Sequence, residues 1–195
     1  MRSPEWVAAV RRSRLGLSFG DVLDLDLLLD DEPPAATDVV VIPQDVHLLL
    51  GEVTALEEPP ETKAELLAAA LRQRPRRRGT LVVQPPRRGE PLVLQAIVYD
   101  FEDTPPAREL HVFEVLLAAF EEAKARGLGS LALHPLGTRY AGIAAARFLD
   151  LLIQVCFSAA ELGTSVRRVH LLLRSQEELA EYQEHLEGLA QPGSR

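Results

Sequence analysis

A glycine-bearing turn, Gly137-Thr138-Arg139-Tyr140-Ala141-Gly142, separates the apolar run Leu131-Ala132-Leu133 from a long apolar pattern at helical spacing, Ile143, Ala146, Leu149, Leu152, Ile153 and Cys156. The pattern predicts a buried strand, a tight loop and a helix. Anion binding is the chemistry such a junction supports. The first N–H groups of a helix lack partners, the helix dipole favours negative charge there, and glycine lets the backbone approach a phosphate or take positive φ. The same stretch also reads as an ordinary strand-to-helix connection, because no spacing in it is a strict phosphate fingerprint.

Other reactive side chains form no recognisable constellation. The five histidines, His47, His111, His134, His170 and His185, show no metal-ligand spacing. His134 ends an apolar run and reads as a packed or hydrogen-bonded residue before a catalytic one. The single cysteine, Cys156, lies on the apolar helical pattern, which excludes an internal disulfide and a multi-cysteine metal site. No G-x-S-x-G elbow occurs. Glu102, Asp103 and Glu109 read as a solvated connector. The arginines Arg72, Arg74, Arg76, Arg77, Arg78, Arg87 and Arg88 cluster in sequence without interleaved aromatic residues, which favours a solvated helix end and hairpin over an RNA contact. No catalytic residue, metal ligand or cofactor is therefore assigned.

Composition narrows the classes further. The 195-residue chain carries a net charge of -8, which argues against a general nucleic-acid-coating role. No apolar stretch of about 20 residues is present, so no membrane span is expected. The first residues lack the apolar core and cleavage pattern of a secretory signal, and a cytoplasmic location is the expectation. Asparagine is absent and proline frequent, as in a thermophile or a GC-rich genome.

Several elements must position the turn. Pro4–Arg14 has helical spacing of Trp6, Val7 and Val10, so residues 1–14 are expected to be an extension with a short helix. Residues 15–190 are expected to be one domain, and residues 191–195 a frayed tail. Leu15–Phe19 reads as the first strand, with a turn at Gly20-Asp21-Val22. Asp24–Glu32 reads as a short helix or a strand end, stopped by Pro33-Pro34. Asp38–Pro43, rich in valine, predicts a central strand buried on both faces. Gln44–Pro60 reads as a loop with a short apolar piece, and Glu61–Gln73 as a helix. Thr80–Gln84 and Leu92–Asp100 predict an antiparallel pair. His111–Arg126 predicts a helix with Phe113, Leu116, Leu117 and Phe120 inward and Gly127 at its end. Val166–Leu173 reads as a last strand and Glu177–Leu189 as a last helix. This order predicts a three-layer α/β/α sandwich with a mixed central sheet. Ligands in such sheets bind beyond the carboxyl ends of the strands, where Asp21, the Pro43–Asp45 turn and the Gly137–Gly142 loop are all expected.

Three segments together resemble one family. Gly20-Asp21-Val22 follows a strand. Asp38-Val39-Val40-Val41-Ile42-Pro43-Gln44-Asp45 resembles the macrodomain segment D-A-I-V-N-A-A-N. Leu133-His134-Pro135-Leu136-Gly137-Thr138 resembles its P-A-L-G-T segment. Over Leu15–Leu186 the chain is similar to a divergent macrodomain, a fold that binds ADP-ribose and related nucleotides and that in some members removes ADP-ribose from macromolecules.

The resemblance implies that Asp21, with Val22, accepts a hydrogen bond from the adenine amino group. It implies that Gly137, Thr138, Arg139, Tyr140, Ala141 and Gly142 wrap the phosphates, with Tyr140 covering a ribose or capping the helix. Asp45 stands where the family has the asparagine that positions the distal ribose. A carboxylate there can accept from hydroxyls but cannot donate. Leu48, Leu49 and Leu50 replace a glycine-rich loop, and bulky leucines are not expected at positive φ.

The expected function is a binding module for ADP-ribose or a related nucleotide diphosphate, with weak or no ADP-ribosyl hydrolase activity. The alternative is a degenerate macrodomain scaffold with a closed pocket, acting through self-association as a homodimer or through a protein partner. Hydrolysis would require Asp45.

Overall fold

The structure, a computed structural model, describes residues 7–11, 14–48, 50, 75–86, 88–140 and 142–190. Eight strands and three helices occur among them. The strands are β1 (Val7–Arg11), β2 (Arg14–Phe19), β3 (Leu23–Leu29), β4 (Val39–Asp45), β5 (Thr80–Gln84), β6 (Leu92–Tyr99), β7 (Ser130–Leu133) and β8 (Arg168–Leu173). The helices are α1 (Glu109–Ala125), α2 (Ala145–Leu162) and α3 (Gln176–Ala190). The expected helix at Glu61–Gln73 lies outside the described residues.

All eight strands join one sheet in the order β1-β2-β3-β8-β7-β4-β6-β5. The inner strands β3, β8, β7, β4 and β6 run parallel. β1, β2 and β5 attach antiparallel at the two margins. The sheet is therefore mixed, as expected.

β4 shows why the valine run makes a central strand. Val39, Val40 and Val41 are all buried, and parallel neighbours flank the strand on both sides. β-branched side chains suit such a pleated, two-sided environment. Val39, Val41, Leu94, Leu131, Leu133, Leu171 and Leu173 share one face and pack into a single core with α1 and α2. On that face α1 lies over β5 and β6, and α2 sits between α1 and α3. Val40, Ala132 and Leu172 point the other way and are buried too. Burial on both faces is what a three-layer α/β/α sandwich requires.

α2 is apolar over most of its circumference, with Phe148, Leu149, Leu152, Val155 and Cys156 inaccessible. Each large side chain so buried contributes about 1.5–3 kcal/mol. No described helix is long and apolar enough to cross a membrane. α1 ends as its sequence suggests. Gly127 takes φ 66°, its N–H bonds Lys124 O, and Leu128 N–H bonds Ala123 O, which satisfies two terminal carbonyls.

Three sequence expectations are corrected. Val7–Arg11 is a strand, where the spacing of Val7 and Val10 suggested a helix. It pairs along its whole length with β2, from Val7 opposite Ser18 to Arg11 opposite Arg14, and ladder hydrogen bonding outweighs a weak helical pattern. Leu23–Leu29 is also a full strand, its alternation of leucine and aspartate placing Leu23, Leu25 and Leu27 in the core. In α1, Leu117 faces outward, 37% exposed, and Val112, Val115 and Ala119 join Leu116 and Phe120 in the buried face.

Candidate functional site

The carboxyl ends of β7, β4 and β6 meet at one edge of the sheet. β7 leads there into the loop 134–144. Gly137 has φ 78°, and the Ile143 N–H donates to its carbonyl at 2.9 Å, folding the loop on itself. A Cβ on Gly142 would overlap the Gly137 carbonyl oxygen and meet Ala107 Cβ at 2.9 Å. Both glycines are thus required by the loop's own packing. α2 follows with Ala144 at its N-cap, no side-chain cap and no acid in its first turn. Thr138 is half-buried, Arg139 and Tyr140 are exposed, and Ala141 lies outside the described residues. An uncapped helix start of this kind favours an anion.

Tyr99, the last residue of β6, reaches into this loop. Its hydroxyl accepts the Arg139 N–H at 3.2 Å. Burial holds that hydroxyl above the ordinary tyrosine range, although the backbone amides of Arg139 and Gly137 pull the other way. The ring belongs to an aromatic cluster. Tyr99 and Phe101 lie parallel with centroids 5.7 Å apart, and Tyr140 meets each edge-on at 5.2 Å. The sequence offered no signal for this cluster, since residues 99 and 140 meet only through the fold.

Asp45 ends β4 at the same edge, but its carboxylate turns into the chain. It is 2% exposed and accepts the His47 N–H at 2.7 Å and the Leu50 N–H at 3.0 Å. Gln44 Oε1 shares the Leu50 N–H, also at 3.0 Å. Asp45 was expected to meet ligand hydroxyls; in the structure its carboxylate holds its own turn. Leu48 takes φ 62° within that turn, its N–H donating to Asp45 O at 3.0 Å. A leucine does occupy the left-handed region here, because the surrounding hydrogen bonds outweigh a cost of about 1–2 kcal/mol. Leu50 packs toward the core, and Leu49 lies outside the described residues.

Asp21 and Val22 are not brought to this edge. Their turn joins β2 to β3 at the amino end of β3, which runs parallel to β8 from Asp24 opposite Arg168 to Leu29 opposite Leu173. Seven residues of strand put Asp21 about 20 Å from the carboxyl edge. Asp21 instead lines a cleft of about 750 Å³ with Ser18, Asp24, Arg167, Arg168 and His170. Arg167 Nη1 donates there to the Val22 carbonyl at 3.2 Å, and Ser18 Oγ to Asp24 at 2.7 Å.

The acids at the carboxyl end of β3 are Asp30 and Asp31. Asp30 N–H bonds Leu173 O at 3.0 Å, and Asp31 pairs with Arg174 at 3.3 Å. The leucine–aspartate alternation running into three acids, Asp30-Asp31-Glu32, before Pro33-Pro34 was the signal for them. His134 Nδ1 lies 3.2 Å from Leu172 O. Burial, with Arg174 nearby, lowers its pKa. Burial pushes the Cys156 thiol far up, so it is inert. Among the described residues no three His, Cys, Asp or Glu side chains could hold a metal ion.

No family model matches the sequence, and no curated protein matches it significantly. Solved structures do match. The Oceanobacillus iheyensis macrodomain with ADP superposes with a TM-score of 0.69 at 18% identity, covering 91% of this chain and 96% of that one. The Trypanosoma brucei macrodomain in complex with ADP-ribose gives 0.59 at 13% identity over 83% and 68% of the two chains. The macro domain of ganglioside induced differentiation associated protein 2 gives 0.58 at 15% identity over 91% and 88%. The chain therefore has the macrodomain fold.

Proposed function

We propose that the carboxyl edge binds ADP-ribose or a related nucleotide diphosphate, with weak or no ADP-ribosyl hydrolase activity. The observation that carries this reading is the glycine loop opening onto the uncapped start of α2, with Arg139 exposed beside it. Backbone N–H groups, a helix dipole and a guanidinium together suit a diphosphate. Solved structures of the same fold include one with ADP and one with ADP-ribose. Asp30 and Asp31 take over the adenine role first expected of Asp21, because they lie at the correct end of β3. Asp45 is engaged by its own turn and is not available as a catalytic base. A cytoplasmic site of action belongs to the same proposal.

Titration calorimetry with ADP-ribose tests it. Binding is expected in the wild-type protein and, unchanged, in Asp21→Ala. Arg139→Glu should weaken it about tenfold, equivalent to about 1.4 kcal/mol. No binding at millimolar ligand would sink the proposal.

One observation favours the alternative of a closed scaffold working through a homodimer or a protein partner. The Tyr99 hydroxyl already takes an N–H of the loop that should hold phosphate. Tyr99→Phe separates the two readings. A nucleotide site gains affinity when the Arg139 N–H is released to the ligand. A closed scaffold binds nothing in either form and loses about 1 kcal/mol of stability.

A further inference from the structure

From the aromatic cluster at the carboxyl edge, we infer that the site takes a dinucleotide, a ligand bearing a second planar ring on its far ribose. This rests on the nucleotide-diphosphate reading above and extends it. Phe101 is 53% exposed and Tyr140 is 40% exposed, in a chain with few aromatic residues. The two rings meet edge-on, and both are braced by the buried Tyr99. A braced ring with a free surface loses little entropy on stacking and tolerates any planar partner.

Position selects the far end of the ligand. From β3, which carries the acids proposed for adenine, to β6, which carries Tyr99, the sheet crosses β8, β7 and β4. Four strand spacings amount to about 19 Å. A diphosphate held by the loop after β7 lies between these two points, which puts Phe101, two residues past the end of β6, on the side of the second ribose, with Tyr140 reaching it from the diphosphate loop.

Two of the three acids beside Phe101 are already paired, and Glu102 is exposed. Asp103 pairs with Arg78 and with Arg108, each at 2.8 Å, and Arg78 also lies 3.9 Å from Asp100. The paired Asp100 and Asp103 thus repel a diphosphate less than free carboxylates would, while Arg139 remains exposed beside Tyr140.

Diadenosine diphosphate is ADP-ribose with adenine in place of the terminal hydroxyl, so the pair isolates the second ring. Calorimetry on the full chain should give at least fivefold tighter binding for diadenosine diphosphate, beyond the factor of two from its two identical ends. Phe101→Ala should erase that preference while leaving ADP-ribose binding intact, which also reports that the variant is folded. Phe101→Leu, apolar but without a π face, should erase most of it. Equal affinities in the wild type, or a preference that survives both variants, would overturn the inference while leaving ADP-ribose binding in place. Absence of binding by either ligand would overturn both readings.

Discussion

Gly142→Ala lowers the unfolding free energy by about 3 kcal/mol and abolishes any ligand binding at the loop after β7. The added Cβ collides with the Gly137 carbonyl oxygen and sits 2.9 Å from Ala107 Cβ. Neither can move cheaply. The Gly137 carbonyl accepts the Ile143 N–H that closes the loop, and Ala107 is buried beneath it. Overpacking against backbone falls at the upper end of the range of about 1–3 kcal/mol for added methyl groups. Gly20→Ala is the matched control. Gly20, unlike Gly142, has positive φ, at 59°, and nothing lies within 4 Å of its Cβ position, so only conformational strain of about 1 kcal/mol is expected. Urea unfolding of the two variants, with linear extrapolation, measures the difference. Equal losses would show that the loop relaxes around the methyl group and that its glycines are not held by packing.

Asp45→Ala costs about 3 kcal/mol, seen as a fall of roughly 6–12 °C in Tm for a chain of this size. The substitution strands the His47 and Leu50 N–H groups, which the carboxylate holds at 2.7 and 3.0 Å. Unsatisfied donors in a partly buried turn cost about 1–3 kcal/mol each, and Gln44 Oε1 can retain the Leu50 N–H. Asp45→Asn keeps one acceptor and is expected to lose about half as much. Leu48, strained at φ 62°, lies in the same turn, and its relaxation when the turn loosens offsets a small part of the loss. A thermal scan showing no change in either variant would return Asp45 to the list of groups available for a ligand.

The two variants bear on different halves of the reading drawn from sequence. The loop from Gly137 to Gly142 was legible as a glycine turn entering a helix, and it is one. The reason for its glycines was not legible, because Ala107 and Val112 approach Gly137 and Gly142 from α1 and the segment before it. Asp45 was legible as a polar residue in the turn after a buried strand. The direction of its carboxylate was not, because a carboxylate can cap the next turn or face solvent with no change in sequence pattern.

Local periodicity determined most of the elements by itself. β4, β6, β7 and β8 are runs of apolar residues too continuous for a half-exposed strand, and α1 to α3 repeat their apolar positions at helical spacing. That order already required a three-layer sandwich with a mixed sheet. The tertiary structure alone decided which end of the sheet each turn occupies. Leu23–Leu29, which the sequence left between a short helix and a strand end, is the full strand β3, and it pairs antiparallel with β2, so that β3 and not β2 runs parallel to β8. One more antiparallel strand reverses the chain once more. The turn carrying Asp21 therefore falls at the amino end, and Asp30 and Asp31 fall at the carboxyl edge. Strand direction is set by pairing between segments about 145 residues apart, Asp24 with Arg168, and such pairing leaves no trace in the local alternation of apolar and polar residues.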